Sequence, residues 1–282
     1  MSKARIVTDS TCDLPPDILS RHNISVVPLY VVFADESLRD GVDITPEKLY
    51  ARVDKDGILP KTAAASPADF VNVFSPIIEA GDDIVYIGIS SLLSSSVDNA
   101  RLAAQEFPQG KIQIVDSLNL SNGIGLLVMK AVDLAEQGFS SIEIVEKVSV
   151  HIPKVKSRFI IDTLDYLYMG GRCNALQNFV GGLLKIKPVV AVKEGKMYLE
   201  EKIRGKREKV INVLLENVML DADNMDDARV FIPNSMALED ALCLKEILTG
   251  RLNVKEIIIA DAGCVISSHC GPNTIGIMYI AK

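Results

Sequence analysis

Short runs rich in Val and Ile alternate along this chain with longer stretches whose apolar residues recur at helical spacing. Residues 5–8 predict a first strand, and Asp13 predicts the cap of a helix whose Pro15 and Pro16 suit its first turn. The β-branched run 24–33 predicts a second strand. "ITPEKLYARV" opens a helix with Thr45 as N-cap and Pro46 at N1, and "SPADFVNVFSPIIEAG" repeats the device with Ser66, Pro67 and Asp69 before stopping at Gly81. A strand at 84–89, a helix at 98–107, a strand at 112–115 and helices near 125–137 and 142–152 complete this half.

Such alternation predicts a parallel sheet with helices on both faces, and ligands of such sheets sit beyond the C-terminal ends of the strands. Small polar residues fall there three times: Asp9-Ser10-Thr11, Ser90-Ser91 and Asp116-Ser117. The second half begins near 155–159. It predicts a hairpin turning through Glu194-Gly195-Lys196, helices near 205–219 and 236–248, and strands at 229–232, 256–260 and 275–280. Mixed or antiparallel pairing is expected here. The fold class is therefore α/β: a parallel N-terminal domain, 1–154, packed over a broad interface on a mixed C-terminal domain, 155–282.

One stretch asks for more than a turn. "GISSLLSSSVDNARLA", 88–103, places five serines within seven positions between a strand and a helix. Serine is a favoured N-cap and turn former, so one or two belong there. The remainder suit an anion site, because the first turn of a helix has free N–H donors and a positive dipole end.

Composition narrows the function. The 282 residues carry a net charge of −7 and no Trp, which disfavours both a phosphate-backbone partner and a base-stacking platform. The N-terminal "MSKARIVTDS" lacks the apolar core of a signal peptide, and apolar runs such as 257–260 are too short to span a bilayer. Five cysteines (Cys12, Cys173, Cys243, Cys264, Cys270) form no CxxC pair, so a reducing cytoplasm is expected rather than disulfides or structural zinc.

Enzyme motifs are thin. Gly88-Ile89-Ser90-Ser91-Leu92 lacks the second glycine of a nucleophile elbow, and "GIGLLV" at 123–128 lacks the third glycine of a dinucleotide fingerprint. No metal-ligand spacing is present. What remains suits binding. "MGGRCN", 169–174, joins two glycines to Arg172, whose guanidinium can fork onto a carboxylate or phosphate; a solvated turn arginine is the plainer alternative. "SSHCGPN", 267–273, sets His269 before a Gly-Pro turn, where a packed histidine is the plainer alternative. In "KTAAASP", 61–67, Ser66 is a cap and Thr62 lies too early to cap anything.

Taken together, the chain resembles the DegV family of bacterial fatty-acid-binding proteins. The likeness spans essentially the whole chain, as one unit over 3–281. "IVTDSTCDLP" is similar to the family's opening signature, "KTAAASPADF" to its T-S-Q-P-S segment and "SSLLSSSVDNA" to S-S-x-L-S-G-T. "LDYLYMGGRCN…LLKIKPVV" is similar to L-x-x-L-x-x-G-G-R…L-x-I-K-P, and "SSHCGPNTIGI" to the H-T-G-P-G close. The chain departs at Ala63-Ala64-Ala65, Ser95-Ser96, Cys270 and Asn273, which bear on chain length and kinase engagement.

The resemblance implies a non-catalytic carrier holding a palmitate-like long-chain fatty acid between its two domains. It places the carboxylate on Thr62 and Ser94, and Arg172, His269 and the looser match Arg204 near the head group. It implies no cofactor and no metal. The implied partners are the fatty acid, a fatty acid kinase to which the acid is presented, and transient membrane contact. Burying some 15 alkyl carbons gives on the order of 12 kcal/mol before binding costs. Each charged hydrogen bond to the head group adds about 1.5–3 kcal/mol. The tail thus supplies affinity and the head group orientation. The rival expectations are a serine-dependent acyl hydrolase or transferase using Ser94 with His269, and a lipid-responsive sensor. A tunnel is expected along 159–167 and 179–186.

Overall fold

The structure is a computed structural model of the chain and describes residues 2–34, 36–172 and 186–282. The chain opens with β1 (Ala4–Asp9), α1 (Pro16–Arg21) and β2 (Ser25–Val27). The run 24–33 does not make one strand. Pro28 has no amide to give a ladder, and beyond it the chain enters a different sheet. There β3 (Tyr30–Phe33) lies between β4 (Glu36–Arg39) and β5 (Lys61–Ala63), antiparallel to both. Next come α2 (Pro46–Asp56), α3 (Pro67–Glu79), β6 (Asp83–Gly88), α4 (Ser96–Ala104), β7 (Ile112–Asp116), α5 (Asn122–Glu136) and α6 (Ser141–Ser149). Strands β2-β1-β6-β7 form a four-stranded sheet, parallel throughout.

Helix starts follow their caps unevenly. At α3 the Ser66 hydroxyl accepts from the Asp69 amide at 3.3 Å, while the Asp69 carboxylate accepts from the Ser66 amide at 2.7 Å, a complete capping box. Thr45 is the N-cap residue of α2 but makes no side-chain cap bond. Asp13 does not cap α1, whose N-cap is Pro15. It turns the chain through a left-handed conformation (φ 52°) and sends its carboxylate elsewhere.

The second half contains β8 (Val155–Ile160), α7 (Asp165–Met169), β9 (Ile186–Lys193), β10 (Lys196–Arg204), α8 (Arg207–Leu220) and β11 (Met225–Ser235). It ends with α9 (Leu238–Thr249), β12 (Glu256–Asp261), α10 (Cys264–Cys270) and β13 (Thr274–Ala281). Its sheet runs β10-β9-β8-β13-β11-β12, with only β11 and β12 parallel. The expected mixed sheet and the 194–196 hairpin are both present.

Side-chain alternation gives this sheet two apolar faces. Ile160, Val189, Ile275 and Tyr279 pack with α8 and α9 on the outer face. Phe159, Val190, Met278 and Ile280 point inward to α5 and the parallel sheet. On β10, Met197 and Leu199 face inward but Ile203 faces outward, because the register shifts between Leu199 and Glu201. Helix α5 lies between the two sheets, which is why nearly every residue from Asn122 to Val132 is buried. The protein is thus a parallel α/β domain packed on a mixed α/β domain around a shared core. Leu127 sits fully buried in that layer. Leu127→Ala is expected to lower the unfolding free energy by about 2–5 kcal/mol in a urea titration; a loss below about 1 kcal/mol would show that α5 is not the common core.

Candidate functional site

Beyond the C-terminal end of β6, the loop 89–95 meets β5, α10 and the inner face of the mixed sheet. They line a cavity of about 810 Å³ when the open solvent at its mouth is counted. Its apolar lining includes Ile89, Leu93, Phe159, Leu167, Met197 and Met278. Phe159 and Leu167 fall in the stretch expected to line a tunnel, whereas 173–185, with most of the second stretch, Cys173 and Asn174, lies outside the described residues.

Four of the five expected site residues line this cavity: Thr62, Ser94, Arg172 and His269. Thr62 is not a loop residue ahead of a helix in the parallel sheet. It sits on β5, opposite Val31 of β3, and its Oγ1 lies 2.9 Å from His269 Nε2. The "SSHC" stretch ahead of the Gly-Pro turn is the last part of α10, which carries His269 to the cavity. Ser94 Oγ sits 2.9 Å from Ser96 Oγ and accepts from the Ser96 amide at 3.3 Å, so Ser94 itself closes the turn into α4. Ser95 holds the N-cap position without a side-chain bond. Ser90 donates to the Gly195 carbonyl at 2.9 Å and pins the hairpin tip to the parallel domain. Arg204 is exposed at the end of β10 and does not line the cavity.

The cluster carries little buried charge. Burial, with the nearby Arg172 guanidinium adding to it, pulls the His269 imidazole down to about 4, so it is neutral at pH 7. Its Nδ1 is buried without a partner among the described residues. Arg172 is exposed at the mouth, donating to the Gly170 carbonyl at 2.7 Å and reaching the Leu93 carbonyl at 3.5 Å. Other polar side chains of the lining are turned to protein partners. Ser121 donates to Asp13 at 2.5 Å, Thr274 to the Cys270 carbonyl at 2.9 Å, and Asn234 to Asp261 at 2.9 Å. These three are spent on the scaffold, and the polar groups left at the cavity are Thr62 and His269, bonded to each other, Ser94, bonded to Ser96, and Arg172, bonded to backbone carbonyls. Among the described residues no cluster could hold a metal ion, and no helix is long and apolar enough to cross a membrane.

Residues not foreseen as site residues fix this geometry. Asp40 accepts from the Cys264 amide at 2.7 Å and the Val265 amide at 3.3 Å, and Asp13 accepts from the Gly263 amide at 2.8 Å. Both carboxylates thus sit on the start of α10. Gly170 matters for space: a Cβ there would lie 2.1 Å from His269 Nδ1. The glycine pair of "MGGR" signalled flexibility, and its first member instead makes room for an imidazole.

Fold and cavity define a protein of two α/β domains closed on an apolar cavity with a polar cluster at its mouth. The chain belongs to the DegV family: a family model described as "Uncharacterised protein, DegV family" matches residues 3–282. A DegV domain-containing protein of Caldanaerobacter subterraneus subsp. tengcongensis is 32% identical over 284 residues, covering 100% of both chains. A DegV family protein from Thermus thermophilus, described as fatty acid binding, superposes with a TM-score of 0.92 at 34% identity, over 99% of this chain and 100% of that one. DegV of Bacillus subtilis, described as a fatty acid binding protein, gives a TM-score of 0.89 at 28% identity over 100% of both chains.

His269 yields a pH dependence with a definite sign. The unfolded chain holds the imidazole near 6.5 and the folded one near 4, so between these values the unfolded state binds more protons. Its contribution to stability is complete above about 6.5 and is lost as pH falls toward 4. Gly170→Ala is expected to push the imidazole from its pocket and return its NMR titration toward 6.5; an unmoved titration rejects the Gly170 contact.

Proposed function

We propose that this protein binds a long-chain fatty acid, with the carboxylate on Thr62 and Ser94 and the alkyl tail in the apolar cavity. The observation that carries this is the gathering of four polar side chains, Thr62, Ser94, Arg172 and His269, on one cavity whose lining is otherwise largely apolar. The relatives described as fatty acid binding support it. With the chain divided at 1–154 and 155–282, Thr62 and Ser94 belong to the first domain, and Arg172, His269 and most of the tail contacts to the second. A neutral His269 can donate from Nε2 to Thr62, which frees the Thr62 proton for the carboxylate. Arg172, charged and exposed, suits partner docking or the charge of a phosphoryl group, so the acid is presented to a kinase from this mouth. Arg204, outside the lining, enters only as a contact for such a partner. The place of action is the cytoplasm, in keeping with the free thiols of Cys12, Cys243, Cys264 and Cys270.

The protein acts as a carrier rather than an acyl hydrolase. Ser94 is engaged with Ser96, while His269, the base a hydrolase would require, is engaged with Thr62. Titration with a fluorescent fatty acid tests the two readings. Ser94→Ala is expected to weaken binding by roughly tenfold, the worth of one head-group hydrogen bond. Arg172→Ala and His269→Ala are expected to affect binding less and kinase-dependent acyl-phosphate formation more. Normal binding by Ser94→Ala, with loss of a measurable intrinsic esterase activity, would overturn the carrier.

A further inference from the structure

A second cleft lies where two strands of the mixed sheet part. Register between β8 and β9 runs Ile160↔Val189, Phe159↔Val190, Arg158↔Ala191 and then stops. Strand β8 continues toward its start paired only with β13, and β9 continues to Lys193 paired only with β10. The wedge between them, with Leu118, Asn119 and 152–153 at its sides, encloses about 850 Å³ counted out to solvent. It shares no lining residue with the fatty-acid cavity.

Two more steps of the antiparallel register would set Lys156 directly across from Lys193. Like charges facing each other across a ladder are destabilising, and the ladder ends before they meet. Both lysines line the wedge, Lys156 half-buried and Lys193 exposed. Among the described residues neither has an ion-pair or hydrogen-bond partner. The third cation of the lining, Arg158, is already compensated by Glu200 at 2.9 Å and Asp221 at 3.4 Å. One carboxylate, Glu194, also lines the wedge and is not paired with either lysine. The free charge there is two ammonium groups against one carboxylate, on opposite walls of an open cleft.

We propose that this wedge is a phosphate-binding site, in which Lys156 and Lys193 hold a phosphate dianion between β8 and β9. Lysine binds phosphate as a mobile point charge. A dianion between two ammonium groups converts their repulsion into attraction. The phosphate is that of a soluble phosphomonoester or of a phospholipid head group.

The test is an NMR titration of the full chain with inorganic phosphate and then with glycerol phosphate. Saturable shifts centred on 155–158 and 192–194 are expected, weakened about tenfold or more by Lys156→Gln/Lys193→Gln. Lys193→Gln alone, at an exposed position, should weaken them in the same direction while fatty-acid titration stays unchanged. Competition by vesicles containing phosphatidic acid assigns the phosphate to a head group, and saturation without competition assigns it to a soluble ester. Shifts scattered over unrelated surface lysines, no saturation, or equal affinity in the double variant overturn the site.

Discussion

The placement of two carboxylates from the first domain on the start of α10 governs the rest of the site. Helix α10 has seven residues, too few to be stable without tertiary support. Its first amides point at Asp40 and Asp13, which lie 224 and 250 residues away in sequence from the amides they accept. Amide bonds to a carboxylate are about twice as strong as neutral ones, and acceptors at a helix start also meet its positive dipole end. A Cβ on Gly263 would sit 3.1–3.2 Å from oxygens of both carboxylates, so any other residue there would push them back by a few tenths of an ångström. His269 rides at the other end of this helix. The bond between Thr62 and His269 thus spans the same pair of domains as the contacts of Asp40 and Asp13 with the start of α10.

Burial of those carboxylates has a cost. Desolvation raises the pKa of Asp13 well above, and that of Asp40 above, the usual carboxylate range, and their mutual repulsion raises Asp13 further. Asp9, at the end of β1, is raised by burial as well, although it accepts from Tyr86 at 2.8 Å and the Ile89 amide at 3.0 Å. The Ile89 amide opens the 89–95 loop, which the cavity needs. Asp9 fixes the start of the 89–95 loop at the point where the parallel sheet reverses its strand order, the usual ligand position of such sheets. The cavity lies there, but none of the polar residues at the three strand ends lines it: Asp9 is spent on the scaffold, and the lining polar residues, Thr62 and Ser94 among them, lie farther along the chain.

What the sequence revealed and what it hid divide along physical lines. Periodicity and caps exposed the elements with strong local signals: α3 with its Ser66–Asp69 box, the parallel strands, and the hairpin at 194–196. Elements made by long-range contact stayed hidden. Strand β5 has three residues and exists because it pairs with β3; α10, just ahead of the Gly-Pro turn, carries no local side-chain cap, its first amides being held by distant Asp13 and Asp40. Asp13 looked like a local cap beside two prolines, and only the packed structure shows it reaching Gly263. Family likeness brought out Thr62, Ser94, Arg172 and His269 together, where their local context gave each a plain alternative. The serine cluster divides its work: Ser90 ties the domains, Ser94 and Ser96 shape the turn, and only Ser94 among them faces the cavity.

The electrostatics of the mouth also bear on release. A carboxylate held by a buried cation would form an ion pair whose disruption strands a charge in low dielectric, at a cost of several kcal/mol. Here the buried member of the cluster is neutral and the charged one, Arg172, lies in solvent. A fatty acid bound as proposed would thus be oriented by hydroxyl and imidazole hydrogen bonds, each worth about 1–3 kcal/mol to an ionised acceptor. Neutral donors give up an anion without leaving an unpaired charge behind. In the proposed complex affinity would then reside in the tail and exchange at the head.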